Sequence, residues 1–388
     1  MTGLHVGHTQ VRGNAGAGGD LDAQTLTTDR ITIAGLLRQA GYRTALVGKW
    51  GLGDIGSRAT PDKVGFDHYF GFLNQSHAHN HFPSFLWSDG ERLPLPNDLI
   101  ADPRVEGLGY SSNRLVWAND LFFADARAFI AANVDRPFFL CLALTLPHAN
   151  NERSTALGDG MEVPDYGDFA SRDWPDHQKG HAEMNTRLDR GVGALLDQLD
   201  ALGIGGETLV MFTSDNGPHR EGGTDYDPEF FDSNGPLNGI KRDLTEGGIR
   251  VPLIVRWPGY IPAGSVSDHV SSFGDMMATF GQLAGVEPPP NDGLSLLPTL
   301  TGRGNQESHT FLYWELYEKD VTQAVLLEGR WKGIRPEAPN GRIVLYDLQT
   351  DPGEMVDRAA RYPEIVARIE ELMRTQHVPN EHWKIPGI

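Results

Sequence analysis

Four places in this chain carry side chains suited to chemistry on an anion. Lys49 closes the apolar run Thr44-Ala45-Leu46-Val47-Gly48, and His148 follows a second apolar run, 138–144, across Leu146-Pro147. Asp215-Asn216 follow a third run, 208–213, and Lys241 sits in the polar, glycine-rich loop 239–248 with Arg242 beside it. Asp and Asn offer hard oxygen donors, which suit Ca²⁺ or Mg²⁺ better than zinc. Lysine holds a tetrahedral anion as a point charge, and an imidazole donates to an oxyanion or moves a proton near neutral pH. Taken singly, each has a plainer reading: a strand end, a loop histidine, a turn. Their coincidence at equivalent positions points instead to one site for an anionic substrate and a metal.

The elements that must position them repeat in order. A helix within 28–41, capped by Thr28 or Asp29 and stopped by Gly41, precedes the strand 44–49. A helix over 113–133 precedes the strand 138–144, and a helix over 178–202 precedes 208–213. Helix followed by buried strand, three times over, predicts an α/β fold with a mostly parallel central sheet flanked by helices. Ligands of such sheets sit beyond the carboxyl ends of the strands, where Lys49, His148 and Asp215-Asn216 fall. Later come a strand at 251–257, a helix at 269–283 and a connector at 288–293. Short strands at 310–314, 323–327, 331–334 and 343–346 and a helix at 363–375 predict a small antiparallel sheet with one helix on it. The expected division is 1–304 and 305–388.

Composition narrows the partners. With 33 Lys+Arg against 52 Asp+Glu the formal charge is −19, and there is no basic run, which argues against nucleic acid. That field repels anions, so an anionic substrate needs the local lysines and a metal. The single cysteine, Cys141, excludes an intramolecular disulfide and a thiolate metal cage. No apolar stretch reaches the roughly 18–20 residues of a membrane span, and the first residues do not read as a signal peptide. Localisation and oligomeric state are left open.

Five segments carry a resemblance. Gly41-Tyr42-Arg43-Thr44-Ala45-Leu46-Val47-Gly48-Lys49-Trp50-Gly51-Leu52-Gly53 resembles the second signature of the type I sulfatases, in the alkaline-phosphatase-like superfamily. Leu146-Pro147-His148 resembles their histidine segment, and Thr213-Ser214-Asp215-Asn216-Gly217 their late metal-ligand motif. Lys241 with Glu246-Gly247-Gly248-Ile249-Arg250-Val251-Pro252 is similar to their sulfate-binding loop; Leu345-Tyr346-Asp347-Leu348 with Asp351-Pro352-Gly353-Glu354 is similar to the end of their C-terminal domain. The resemblance implies an alkaline-phosphatase-like fold and hydrolysis of an aryl or carbohydrate sulfate ester. It implies calcium on Asp215 and Asn216, sulfate gripped by Lys49 and Lys241, and His148 assisting its departure. It also implies a formylglycine nucleophile, made from Cys or Ser in a Cys/Ser-x-Pro-x-Arg segment, and by analogy an exported, periplasmic or extracellular protein.

The sequence departs from that pattern. Met1-Thr2-Gly3 corresponds to the stretch just after the nucleophile segment, and the paired aspartates that complete the calcium site are not present. The chain as given is therefore expected to be inactive and to expose a sheet edge, and Cys141 is expected in the core. Gly51 stands where many members have a histidine; His77 and His79 are the candidates to replace it, and His219 is a further candidate substrate contact. The alternatives are an inactive fragment or pseudoenzyme that binds sulfated glycans, and a phosphatase or phosphodiesterase on the same scaffold.

Overall fold

A computed structural model describes residues 1–318 and 320–387. The first segment that positions the site begins after a short helix, α1 (Leu21–Gln24), with α2 (Ile33–Gln39). Its cap is Thr32, four residues beyond the expected Thr28: the Thr32 hydroxyl accepts from Gly35 N and donates to Val64 O. Ile33, Leu36 and Leu37 bury one face, and the chain then turns at Gly41 into β1 (Arg43–Lys49). β1 runs parallel to β2 (His68–Phe72), a strand that the sequence analysis does not include. The antiparallel strands β3 (Phe85–Ser88) and β4 (Glu91–Pro94) extend the sheet, and β5 (Leu99–Ala101) pairs with β6 (Gly109–Ser111) as a separate hairpin.

Helix α3 (Ala118–Ala131) lies against this sheet and leads to β7 (Phe138–Ala143), which pairs parallel to β1 on its other side. The sheet order is β4-β3-β2-β1-β7, so the sheet is mixed, with β2-β1-β7 as its parallel part. Gly48 is required by that packing: a Cβ there would stand 2.1 Å from Ala143 O, at a φ of +112°. Cys141 lies mid-strand opposite Leu46 and packs against the β1 core, although it is only partly buried. Every β7 residue is partly exposed, and the strand has β1 as its one neighbour among the described residues.

Two helices follow, α4 (Asn151–Leu157) and the long α5 (Asp176–Ala201), before β8 (Val210–Thr213). Here the expectation needs correction. β8 does not join the parallel sheet; it pairs antiparallel with β9 (Leu253–Arg256), beyond the one-turn helix α6 (Glu246–Ile249). Helix α7 (Asp275–Ala284) is shorter than the expected 269–283 helix, and α8 (Leu297–Thr301) follows the connector. The later strands β10 (Phe311–Tyr317), β11 (Val321–Leu327), β12 (Trp331–Arg335) and β13 (Val344–Asp347) form one antiparallel meander. Helix α9 (Pro363–Thr375) buries Ile369 and Met373 against Val325, Leu327 and Trp331. Among the described residues no helix is long and apolar enough to cross a membrane.

Polar clamps tie these parts together. Arg12 pairs with Glu315 of β10 at 3.1 Å and donates to His377 and Val378 O beyond α9. Nearby, Asp292 accepts from His5 N and from the His8 ring. His5 Nδ1 takes the Gly7 N–H, which leaves its proton on Nε2 facing Gln376. The cluster of His5, His8 and Asp292 is thus satisfied as a hydrogen-bonded staple.

Candidate active site

The site grows from strand ends. Lys49 ends β1, His148 lies five residues after β7, and Asp215 lies two residues after β8. All three line one cavity of about 860 Å³, together with Asn216, Lys241, Arg242 and His79. The structure thus brings together seven of the nine residues singled out from sequence.

His148 is the most constrained of them. The Leu146–Pro147 peptide before it is cis, and two histidines hold the flanking carbonyls. His81 Nε2 donates to His148 O at 2.7 Å, and His219 Nε2 to Pro147 O at 3.0 Å. The His148 ring donates from Nδ1 to Ala149 O at 2.6 Å, so Nε2 is left to accept from Lys241 Nζ at 2.9 Å. Burial, aided by the Lys241 charge, lowers the imidazole to about 4, which agrees with a neutral ring; the Glu221 carboxylate, 3.2 Å from Nε2, opposes this shift. Lys241 comes from a loop fixed by Lys241 N to Pro218 O and by Gly247 N to Asn238 O.

Glu221 is the residue that sequence reading missed. It accepts from Lys241 at 2.7 Å, pairs with Arg242 at 2.7 Å and lies 3.2 Å from His148 Nε2. Burial alone would raise its carboxyl; the contacts with His148 and Lys241 outweigh that and hold it far below the usual carboxylate range. The two cations of this loop are therefore preorganised around one fixed carboxylate. Lys49 stands apart from that pair, its ammonium destabilised by burial and by Lys241 and supported by Asp215.

Asp215 is exposed to the cavity, and Asn216 donates its amide to Gly217 O, which frees Oδ1 to face a ligand. In kind these two oxygens fit a calcium ion; in number they are two of the six to eight that Ca²⁺ takes.

The other candidates separate. His79 lines the cavity; its ring stacks on His148 with centroids 5.4 Å apart, and its Nδ1 meets Glu152 Oε2 at 3.1 Å. His77, two residues earlier, points the other way: it is 1% exposed, wedged against Phe72 and Phe85, and burial lowers it to about 3. His219 is buried behind His148, stacked on Tyr226, and supports the loop from beneath. At Gly51, where φ is +74°, a Cβ would meet Gln75 Oε1 at 2.7 Å, so an imidazole there would strain the backbone and displace the Gln75 side chain. The loop 74–112 supplies much of one wall of the cavity, whereas 217–240 contributes Glu221.

Comparison with known proteins follows this geometry. A family model described as Sulfatase matches residues 2–286, and one for the N-sulphoglucosamine sulphohydrolase C-terminal region matches 240–378. Arylsulfatase A of Bos taurus is 29% identical over 397 residues, covering 89% of this chain and 71% of that protein. N-acetylgalactosamine-6-sulfatase of Mus musculus is 34% identical over 310 residues, covering 76% and 53%. The chain thus spans about half to seven tenths of these relatives' length. In fold it superposes on Ps i-CgsB in complex with k-i-k-neocarrahexaose, with a TM-score of 0.77 at 24% identity, over 100% of this chain and 83% of that one.

Proposed function

We propose a function on this basis: the chain belongs to the sulfatase family. Its site hydrolyses the sulfate ester of a carbohydrate or aryl alcohol to the alcohol and inorganic sulfate. The observation that carries this reading is the convergence of Lys49, Lys241 and His148 on one cavity beside Asp215 and Asn216. A phosphatase or phosphodiesterase on this scaffold would use two metal ions and a denser ligand set; among the described residues no group of three metal-ligating side chains includes Asp215.

Each residue's part follows from its contacts. Lys49 and Lys241 neutralise the sulfate oxygens as point charges. Lys241 is aimed by its bonds to Glu221 and His148, and Arg242 is held at the rim by the same carboxylate. His148, neutral and fixed at both nitrogens, orients Lys241. Asp215 and Asn216 are the residues that would hold calcium, whose charge would polarise the ester oxygens. Residues 1–388 contain no Cys/Ser-x-Pro-x-Arg segment, and Cys141 lies within β7, so the formylglycine of the family is assigned to no residue here and no step is routed through it. The sulfated carbohydrates named for the relatives make a glycan sulfate the first class to test.

The test pairs binding with turnover. Calorimetry with a sulfated monosaccharide and its desulfated counterpart should show binding that requires the sulfate and weakens in Lys49→Ala and Lys241→Ala. Sulfate release should be followed with the same sugar and with phosphate monoesters. Phosphate release without sulfate release would overturn the reading; sulfate-dependent binding without turnover would leave a glycan-binding protein.

A further inference from the structure

The lining of the cavity is of two kinds. Lys49, Lys241 and Arg242 give one part its positive charge; another part comes from α4 and the β5–β6 hairpin. Asn150 fixes that second part. Its side chain accepts from Arg153 N to cap α4, and it donates to Gly109 O of β6 at 3.0 Å and to Glu162 Oε2 at 2.9 Å. The next two residues, Asn151 and Glu152, line the cavity. Glu152 is hydrogen-bonded through one oxygen only. His79 Nδ1 donates to its Oε2 at 3.1 Å, whereas Arg104 stands 3.6 Å from Oε1, beyond hydrogen-bond distance. That guanidinium is already engaged, forked onto Asp102 at 2.9 and 2.7 Å. Asn151 Oδ1 is buried with no hydrogen-bond partner among the described residues.

A carboxylate oxygen and an amide left open in this way suit one kind of neighbour. Polar groups that lose water when a ligand arrives destabilise the complex unless the ligand replaces those hydrogen bonds. The face of a phenyl ring cannot replace them. A sugar hydroxyl can, because it donates to a carboxylate and both donates to and accepts from an amide. A second anion on the ring is disfavoured here, since Asp102 and Glu152 set two carboxylates against one guanidinium that is already forked. At about 860 Å³ the cavity has room for such a ring beside the sulfate. We propose that Glu152 and Asn151 are specificity-determining residues, which select the sulfate ester of a hydroxyl-bearing sugar without a second anionic group over an aryl sulfate. The proposal rests on the sulfatase reading of the cavity and narrows it from a carbohydrate or aryl ester to the first. Lys49 and Lys241 hold the sulfate whichever alcohol carries it, so the choice of alcohol falls to the α4 residues.

Calorimetry on the full chain tests this with a panel of galactose and glucose monosulfates, phenyl sulfate and inorganic sulfate. The readout is the ratio of affinities for the tightest hexose monosulfate and phenyl sulfate, in which the contribution of the sulfate group cancels. In the wild type that ratio should be about 10- to 100-fold, the worth of a hydrogen bond to a charged group. Glu152→Ala should bring it close to one, and Asn151→Ala should lower it several-fold. Glu152→Gln keeps an acceptor and removes a charge. It should retain part of the ratio, and a disulfated hexose should gain several-fold in affinity relative to the monosulfate. A wild-type ratio near one, or a ratio undiminished in Glu152→Ala, would overturn the proposal while inorganic sulfate still bound. So would a disulfated hexose that binds the wild type more tightly than every monosulfate. Failure of every ligand to bind, inorganic sulfate included, would refute the sulfatase reading and the selection built on it.

Discussion

Lys241 Nζ lies 2.9 Å from His148 Nε2 and 2.7 Å from Glu221 Oε2, so the cation that meets the anion is held by an imidazole and a carboxylate together. A lysine on a flexible stem loses rotamer freedom when it binds, and these two partners pay that cost before ligand arrives. Burial, aided by the Lys241 charge, lowers the His148 imidazole although a carboxylate is near.

Lys241→Ala should therefore do two things. Affinity for inorganic sulfate should fall about tenfold, about 1.4 kcal/mol. The His148 imidazole should rise from about 4 toward its ordinary value, because burial remains but the opposing cation is gone and Glu221 becomes its partner. Calorimetry and NMR titration read these independently. A His148 midpoint unchanged by the substitution would mean that Lys241 does not set its protonation.

Glu221→Gln removes a negative charge from the wall of an anion site while keeping the side chain's size. Sulfate should bind several-fold tighter at low salt, with the difference shrinking as ionic strength rises. Weaker binding would show that Glu221 matters chiefly by aiming Lys241 and Arg242.

Calcium binding to residues 1–388 should be weak, at or above the millimolar end of the protein range, because Asp215 and Asn216 supply two oxygens. Asp215→Ala should abolish it. Calorimetric detection of tight stoichiometric calcium binding that survives Asp215→Ala would contradict these ligands.

How far the sequence carried this site depends on the distance over which each role is set. Strand ends are local: Lys49, His148 and Asp215 stand just beyond the ends of apolar runs, and the four strands of the C-terminal meander fall where short strands are expected, with ends displaced by up to three residues. Pairing is not local, and nothing in 208–213 or 251–257 shows that β8 would turn to an antiparallel β9 and leave the parallel sheet. The same holds for Glu221, Glu152 and His81, whose meaning lies in partners 20 to 73 residues away. His77 and His79 are alike in sequence, and only the one-turn helix that carries them sends one into the core and the other into the cavity.

The Lys241 loop also depends on the C-terminal sheet. Lys332 of β12 is fully buried beside Trp314; its ammonium donates to Glu246 at 2.8 Å and lies 3.8 Å from Glu354, which in turn accepts from Glu246 N. Lys332→Met leaves two buried carboxylates without their cation and should cost about 3–5 kcal/mol. Because Glu246 opens the one-turn helix α6, sulfate affinity should fall as well at temperatures where the variant remains folded. Denaturant unfolding and calorimetry at 15 °C separate the two effects. Full sulfate affinity in a destabilised variant would show that the Lys241 loop is held without this anchor.

His77 offers a test of the core that leaves the site alone. Its Nε2 is buried without a partner among the described residues, and burial holds the ring neutral down to about pH 3. The unfolded chain takes up that proton near pH 6.5, so between about 6.5 and 3 the unfolded state binds more protons and stability falls as pH falls. At pH 5 the penalty is about 2 kcal/mol, and at pH 8 it has vanished. His77→Leu keeps an apolar body between Phe72 and Phe85 and removes both the orphaned nitrogen and the titration. Its melting temperature should therefore exceed that of the wild type by more at pH 5 than at pH 8, with sulfate affinity unchanged at both. A gain equal at the two pH values would mean that His77 does not carry this proton linkage, and a loss of sulfate affinity would place it in the site after all.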